Sequence, residues 1–160
     1  MILTGLIALP GAEAGSGALP VSPFAIEDST DFSKQIERDL AARGWVIVSG
    51  LALGIDGAAH TGALDAGGVS VAVMATVPQR TYPARHGRLR RRLEETGCSV
   101  TETPPSGGPG GRWLFPRRNR LIAALAEGVI VVEAPEKSGA LVTARRAGEL
   151  GRSVWAVPGP

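Results

Sequence analysis

The sequence predicts an α/β fold, a doubly wound and mostly parallel Rossmann-like sheet flanked by helices. Short β-branched runs, such as residues 45–48 and 129–132, alternate with helical segments, which is the order of βαβ units. The run at 45–48 is wholly apolar, as in a strand buried on both faces of a parallel sheet. A chain of 160 residues is long enough for one core and too short for two ordinary domains, so residues 1–160 are expected to form a single domain.

The first half of the chain is expected to contribute three strands and two helices. Residues 10–30 are rich in glycine, alanine, serine and proline and predict a flexible loop. After it, Phe32, Ile36 and Leu40 recur at helical spacing among charged residues, and Gly44 ends that helix. The expected elements are a strand over 2–9, a helix over 31–43, a strand over 45–48, a helix from a glycine turn to about residue 66, and a strand over 69–75.

The second half continues this alternation around two loops. A Gly/Pro-rich segment, residues 104–112, leads into a basic loop at 115–120 with the sequence Phe-Pro-Arg-Arg-Asn-Arg. A second loop at 133–139 opens the following helix. The expected elements are a helix over 85–95, a strand over 98–101, a helix over 121–126 that Gly128 ends, a strand over 129–132, a helix over 140–150 and a strand over 154–157.

Positive charge is concentrated in one part of the chain, although the net charge is only +2. Ten arginines fall between residues 80 and 120, against three glutamates. Such a local excess favours an anionic partner, above all nucleic acid. For the arginines within residues 88–92, a solvated helix face explains the pattern equally well.

The composition excludes several classes of site. A single cysteine, Cys98, rules out an internal disulfide and a cysteine-based metal site, and its place in a predicted strand indicates a core or near-core position. No cofactor and no metal are expected. No run approaches the roughly 20 apolar residues of a membrane span, and the apolar start lacks the basic residues of a secretion signal. We therefore expect a reduced, cytoplasmic compartment.

Both predicted loops carry residue types that hold phosphates. In an open α/β sheet, ligands bind at the loops that follow the carboxyl ends of the strands. The candidate residues of these loops are Arg117, Arg118, Arg120, Lys137, Ser138 and Gly139. The chain is therefore predicted to contact a phosphate backbone.

A glycine turn follows the strand at 45–48. Ser49, Gly50 and Gly54 would let the backbone approach an anion closely at the start of a helix, although these glycines also suit close strand–helix packing. Asp56 and His60 lie four residues apart on one side of that helix and could act as a catalytic pair. No nucleophile or metal-ligand spacing accompanies them, so a structural pair is the better interpretation.

From residue 49 onward, a series of ordered blocks is similar to a known family. The blocks are SGLALGIDGAAHTGAL at 49–64, YP at 82–83, the Glu-x-Pro-Pro turn at 102–105, FPRRNR at 115–120, VVEA at 131–134, SGALVTA at 138–144, GR at 151–152 and AVPG at 156–159. In this order and spacing they resemble the Rossmann-like domain of the DNA-processing protein A (DprA/Smf) family. The resemblance implies binding and protection of single-stranded DNA, assistance in loading RecA during natural transformation, a homodimer, and no catalytic chemistry.

The resemblance also assigns roles to individual residues. It implies that Phe115 stacks on a base, that Lys137 meets a phosphate and that Arg112 adds a further basic contact. An aromatic platform inside a cationic groove is how sequence-tolerant binding of single strands works.

The three arginines of the block at 115–120 cannot all face the same way. We expect one or two of them to anchor the loop to Glu102 or Glu133, with Asn119 in a structural role, and the rest to face DNA. Family members carry a first strand ending in Gly-Ser/Thr-Arg, whose arginine binds a DNA phosphate. This chain has no Arg or Lys between Met1 and Asp31, so that contact is expected to be missing or supplied from elsewhere. The family's frequent extra domains are not recognisable either, which predicts a single-domain or trimmed form.

A second hypothesis is a nucleotide-binding or nucleotide-hydrolysing Rossmann-like protein, similar to the cytokinin-activating phosphoribohydrolases or to a nucleotide sensor. Those enzymes carry Pro-Gly-Gly-x-Gly-Thr-x-x-Glu after a late strand, whereas residues 133–139 lack both the glycine cluster and the catalytic glutamate. The fingerprint Gly-x-Gly-x-x-Gly is missing after the first strand, which argues against NAD. The single-strand DNA hypothesis is therefore preferred, and an enzyme is not expected.

Overall fold

The structure is a computed structural model that describes residues 8–10, 29–108, 111–136 and 138–157. Most of the predicted flexible loop over residues 10–30, most of the predicted first strand, and Lys137 lie outside these ranges. The helices and strands, in chain order, are β1 (Ala8–Pro10), α1 (Ser29–Ala42), β2 (Trp45–Ser49), α2 (Ile55–Asp65), β3 (Ser70–Met74), α3 (Gly87–Thr96), β4 (Cys98–Thr101), α4 (Leu114–Leu125), β5 (Gly128–Val131), α5 (Gly139–Glu149) and β6 (Ser153–Ala156).

The strands form two hydrogen-bonded groups. In the first, β2, β3 and β4 are parallel, and β1 pairs antiparallel with β2 to give the order β1-β2-β3-β4. In the second, β5 and β6 pair in parallel. Parallel strands joined by crossover helices are the arrangement that the alternating sequence pattern predicts, so the expected fold class is confirmed.

Both groups of strands contribute to the same two hydrophobic clusters. Val48 of β2 and Val129 of β5 share one cluster with apolar residues of α4 and α5. Their neighbours Ile47 and Ile130 point the other way and share the second cluster with apolar residues of α1 and α2. Because successive side chains of a strand point to opposite faces, β2 and β5 belong to one layer that is covered by helices on both sides.

Two sequence predictions about α4 are wrong. The run at 115–120 is the first part of a helix that begins at Leu114, and it is not a loop. Pro116 is compatible with this position because the backbone N–H groups of the first turn have no partner within a helix. The helix ends at Leu125, and Gly128 is the first residue of β5, where a side chain would overlap the ring of Trp155.

Two further features bear on earlier expectations. Cys98, expected in or near the core, is exposed at the start of β4, a strand that pairs only with β3 among the described residues. Among the described ranges, no helix combines the length and apolar character that a membrane span would need.

Helices α1 and α2 pack closely at Gly62. A Cβ atom at this position would overlap the backbone carbonyl of Lys34 in α1. Backbone atoms cannot swing aside as a flexible side chain can, so an added methyl group must push the two helices apart.

We therefore expect Gly62→Ala to lower the free energy of unfolding by about 1–3 kcal/mol. Gly148 is the matched control, since it lies in α5 with open space around its Cα. Gly148→Ala should raise stability by up to about 1 kcal/mol through helix propensity. Urea unfolding followed by circular dichroism measures both changes, and equal midpoints for Gly62→Ala and the wild type would contradict the packing described.

Candidate nucleic-acid interface

The candidate residues gather at one edge of the sheet. The carboxyl ends of β2, β3 and β4 lie side by side because these strands are parallel. The loops that leave them, together with the N-terminal end of α4, surround this edge. This is the place where ligands bind in open α/β sheets.

Arg118 lies inside the protein beneath this edge. Its side chain is 3% exposed, and Nη1 donates to the carbonyl of Gly50, 2.7 Å away, and to the carbonyl of Val73. Nε donates to Oδ1 of Asn119 at 3.2 Å. The guanidinium thus ties the ends of β2 and β3 to α4. The prediction that Arg118 faces DNA is therefore corrected, because its donors are used by backbone carbonyls away from the surface.

Ser49 and Gly50 are also buried, so the structure does not bring them to the surface as DNA contacts. A Cβ atom at Gly50 would overlap the Arg118 guanidinium, so this glycine leaves room for an internal side chain and not for a ligand. Gly54 differs from them. It is partly exposed, has φ 80° and immediately precedes α2, and it stays a candidate contact.

The turn between β2 and α2 is held by Asp56. Its Oδ2 accepts hydrogen bonds from the backbone N–H groups of Gly50, at 3.1 Å, and Ala52, at 3.0 Å. Between them lies Leu51, a buried residue with φ 58°, whose carbonyl oxygen is 3.0 Å from Nδ1 of His86. A non-glycine residue in the left-handed region persists where surrounding contacts over-determine it, as they do here.

Asp56 and His60 are both buried, and each makes hydrogen bonds with different partners. Burial raises the pKa of the Asp56 carboxyl above its ordinary value, and the positive charge of Arg118 opposes that rise. Nδ1 of His60 lies 2.7 Å from the hydroxyl of Ser70, which donates to the carbonyl of Ile47. Burial lowers the pKa of His60 to about 3, so the imidazole is neutral at physiological pH. Within the described ranges no hydrogen bond joins the two residues.

Glu102 pairs with two arginines of α4. Its carboxylate contacts Nε of Arg117 at 3.5 Å, and it accepts a hydrogen bond from Arg120. These are the two arginines that project from the exposed side of the helix, since the intervening Arg118 points inward. Glu133, the alternative partner considered from the sequence, is exposed after β5.

Phe115 lines a cleft of about 260 Å³ near the end of β3. The edge of its ring meets Tyr82, with 5.3 Å between ring centroids and 61° between ring planes. Arg80 and Arg112 line the same cleft, and both are exposed. The turn that carries Arg80 is closed by Thr76, whose hydroxyl donates to the Arg80 carbonyl at 2.7 Å.

A second cleft, of about 370 Å³, adjoins the first. Trp113 and Arg117 line it together with Glu102 and the chain at Thr103 and Pro104. The guanidinium carbon of Arg117 lies 5.7 Å from the centroid of the Trp113 ring, within the range of a cation–π interaction.

Tyr82, Trp113 and Arg80 were not predicted as site residues from the sequence. The available signal was the presence of aromatic side chains within and beside the basic stretch, because stacking platforms and cations occur together in single-strand binding sites.

The start of α5 supplies the remaining candidates. Gly139 is its first residue, and its carbonyl accepts a hydrogen bond from Nδ2 of Asn119 at 3.3 Å, which ties α4 to α5. Ser138 is 7% exposed, and its hydroxyl has no hydrogen-bond partner among the described residues. Lys137 lies outside these residues, so its contact with phosphate stays a prediction.

Sequence comparison places the chain among known proteins. The family model for DNA recombination-mediator protein A matches residues 24–160. The chain belongs to the DNA recombination-mediator protein A family. Protein Smf of Escherichia coli K12 is 51% identical over 121 residues, which are 76% of this chain and 32% of that protein. DNA processing protein DprA of Bacillus subtilis is 44% identical over 134 residues, 81% of this chain and 45% of that protein. The DprA/Smf resemblance of the sequence motifs is thus confirmed.

Solved structures of the family agree with the fold. The X-ray structure of DprA from Streptococcus pneumoniae matches with a TM-score of 0.74 and 40% identity, covering 87% of this chain and 48% of that one. A Helicobacter pylori DprA structure, described as giving insight into a unique single-stranded DNA binding mode, matches with a TM-score of 0.75 and 28% identity, covering 91% and 64%. The chain spans about a third to a half of the length of the curated DprA/Smf relatives named above. The family match begins at residue 24. It therefore includes part of the first third of the chain, the third in which the sequence departs from the DprA/Smf pattern.

Arg118 should contribute more to stability than its surface neighbours in α4. Arg118→Met keeps an apolar stem but leaves two buried carbonyls without this donor and Asp56 without a nearby positive charge. We expect a loss of about 3–5 kcal/mol, as when a buried charge loses its partner. The control, Arg120→Met, removes an exposed ion pair and should cost less than about 1 kcal/mol. Chemical denaturation distinguishes them, and similar midpoints for both variants would show that Arg118 is not a structural residue.

Glu37 of α1 should make stability depend on pH. It is fully buried, neither carboxylate oxygen has a hydrogen-bond partner among the described residues, and burial raises its pKa well above the ordinary 4.5. The folded state therefore holds a proton that the unfolded state releases. This stabilisation is complete below about pH 4.5 and is lost as the pH rises through the folded-state pKa.

Glu37→Gln should consequently be more stable than the wild type at pH 7.5 and should lose less stability between pH 5 and pH 8. Thermal unfolding across a pH series checks this. Glu95→Gln, at an exposed position of α3, is the matched control and should follow the wild type. A Glu37→Gln curve parallel to that of the wild type would contradict the buried, protonated carboxyl.

Proposed function

We propose that this chain binds single-stranded DNA at the carboxyl edge of its sheet, with base stacking on Phe115 and phosphate contacts from exposed arginines. The observation that carries the proposal is the cleft that Phe115 and Tyr82 line together with Arg80 and Arg112. Stacking surfaces beside flexible cations bind single strands without a preference for sequence. Membership of the DprA/Smf family and the single-stranded DNA binding described for the Helicobacter pylori relative support it.

The surroundings of Arg80 and Arg112 favour this edge over the basic helix α3. Within α3, Arg90 pairs with Glu94, and Arg92 pairs with Asp65 of α2. These contacts fit the interpretation of α3 as a solvated charged face. Arg80 and Arg112, in contrast, line a cleft together with aromatic side chains. These surroundings support a DNA path along the cleft.

The cellular role that fits is that of a recombination mediator in the cytoplasm, which protects single strands and assists the loading of RecA during DNA uptake, with the chain acting as a homodimer. Family membership supports this role. The site residues carried over from the sequence are Arg112, Phe115, Arg117, Arg120, Lys137, Ser138, Gly139 and Gly54, of which Arg117 and Arg120 would have to share Glu102 with phosphate.

Fluorescence anisotropy of a labelled oligo-dT strand, compared with a duplex of the same length over a salt series, tests the proposal. We expect preference for the single strand and an affinity that falls with salt. Each arginine or lysine that contacts a phosphate releases counterions condensed on the DNA, and added salt opposes that release. Absence of binding at low salt, or equal binding of duplex, would overturn it. Turnover of a nucleoside monophosphate would favour the phosphoribohydrolase-like alternative instead.

Phe115→Ala should weaken binding of oligo-dT by about 1–3 kcal/mol, the contribution of one stacked base. Lys137→Ala should leave stacking intact and reduce the slope of log K against log salt by about one. Leu150→Ala, at an exposed residue after α5, is the control and should change neither quantity. If both site variants bind like the wild type and remain folded, the site assignment is wrong.

A further inference from the structure

Trp113 stands out among the apolar side chains of the described residues. It is 61% exposed, more than any other large apolar side chain in those ranges. Phe115, only two residues further, is partly buried and contacts Tyr82. The two aromatic rings therefore have different surroundings although they are close in the chain.

The two rings line different clefts. Phe115 lines the cleft with Arg80 and Tyr82, whereas Trp113 lines the cleft with Thr103 and Pro104. The two clefts have Gly111 and Leu114 in common. The chain from 111 to 115 thus forms a ridge between the two clefts, and each cleft is lined by at least one aromatic ring and at least one arginine.

The Trp113 ring already has contacts within the protein. Arg117 lies over it at 5.7 Å, and Arg117 in turn contacts Glu102 at 3.5 Å. Both residues are attached to the beginning of α4, which Arg118 anchors to the strands. A ring that is already held loses little conformational entropy when a flat ligand stacks on it.

We propose that Trp113 is a second base-stacking residue, so that one strand of DNA places a base in each of the two clefts and crosses the ridge between them. The inference rests on the proposed function and extends it by a second base subsite. Arg117 completes this subsite because its guanidinium lies 5.7 Å from the ring centroid and can pair with the phosphate of the stacked nucleotide when Glu102 releases it.

Trp113→Ala and Trp113→Phe, measured by anisotropy with labelled oligo-dT, test the inference. Trp113→Ala should weaken binding by roughly 5- to 150-fold, which is the effect of losing one stacked base. Trp113→Phe should recover most of the affinity, because a smaller ring still stacks. Trp155→Ala is the matched control: this tryptophan is 49% exposed but lies beside Gly128 at the other end of β5.

The double variant Trp113→Ala/Phe115→Ala distinguishes two separate subsites from one. If the rings stack on different bases, the two losses in affinity should multiply, as for independent sites. Tryptophan fluorescence gives a second readout: unlabelled oligo-dT should quench the wild type and should quench Trp113→Phe far less, although Trp45 and Trp155 remain.

Three results would overturn the inference: unchanged affinity of Trp113→Ala, equal loss in Trp113→Ala and Trp113→Phe, or a double variant no weaker than Phe115→Ala alone. If the wild type binds oligo-dT and Trp113→Ala binds it equally well, only the second subsite fails. If the wild type binds no single strand, the proposed function fails and the subsite fails with it.

Discussion

The arrangement of the candidate interface depends on the buried guanidinium of Arg118. It joins carbonyls at the ends of β2 and β3, and its neighbour Asn119 reaches the first residue of α5. Because Arg118 points inward, helical geometry directs Arg117 and Arg120 outward, where both meet Glu102. Three arginines that are nearly adjacent in sequence therefore have different environments. One organises the interior, and two belong to the surface.

A second internal arrangement holds two buried ionisable residues, Asp56 and His60, in structural contacts. Asp56 holds the amides on either side of Leu51, and His60 is bonded to Ser70 with its pKa lowered to about 3. A general base needs a pKa near the working pH and access to a substrate, and buried His60 has neither. In the described structure Asp56 holds the turn after β2, whereas His60 contacts Ser70 at the start of β3.

Much of the fold could be predicted from the sequence, because β-branched runs alternate with helical segments and each run is short. The start of α4 could not be predicted, since Pro116 and clustered arginines are also typical of loops and no side chain caps this helix. The burial of Arg118 could not be predicted either, because its carbonyl partners lie 68 and 45 residues away in the chain. Tyr82 and Trp113 were missed because their proximity to the arginines depends on how β3 and β4 end side by side.

The attachment of the ridge between the two clefts bears on whether the protein or a bound DNA strand has to change its shape. Trp113 and Phe115 lie at the start of α4, and hydrogen bonds join that helix to two strands and to α5. The positions of the two rings are consequently set by the same helix. A strand of DNA that occupied both clefts, as proposed, would have to bend to follow the ridge between them. Stiff, fully paired DNA resists such deformation. The flexibility of the ligand would therefore by itself favour single strands over duplex.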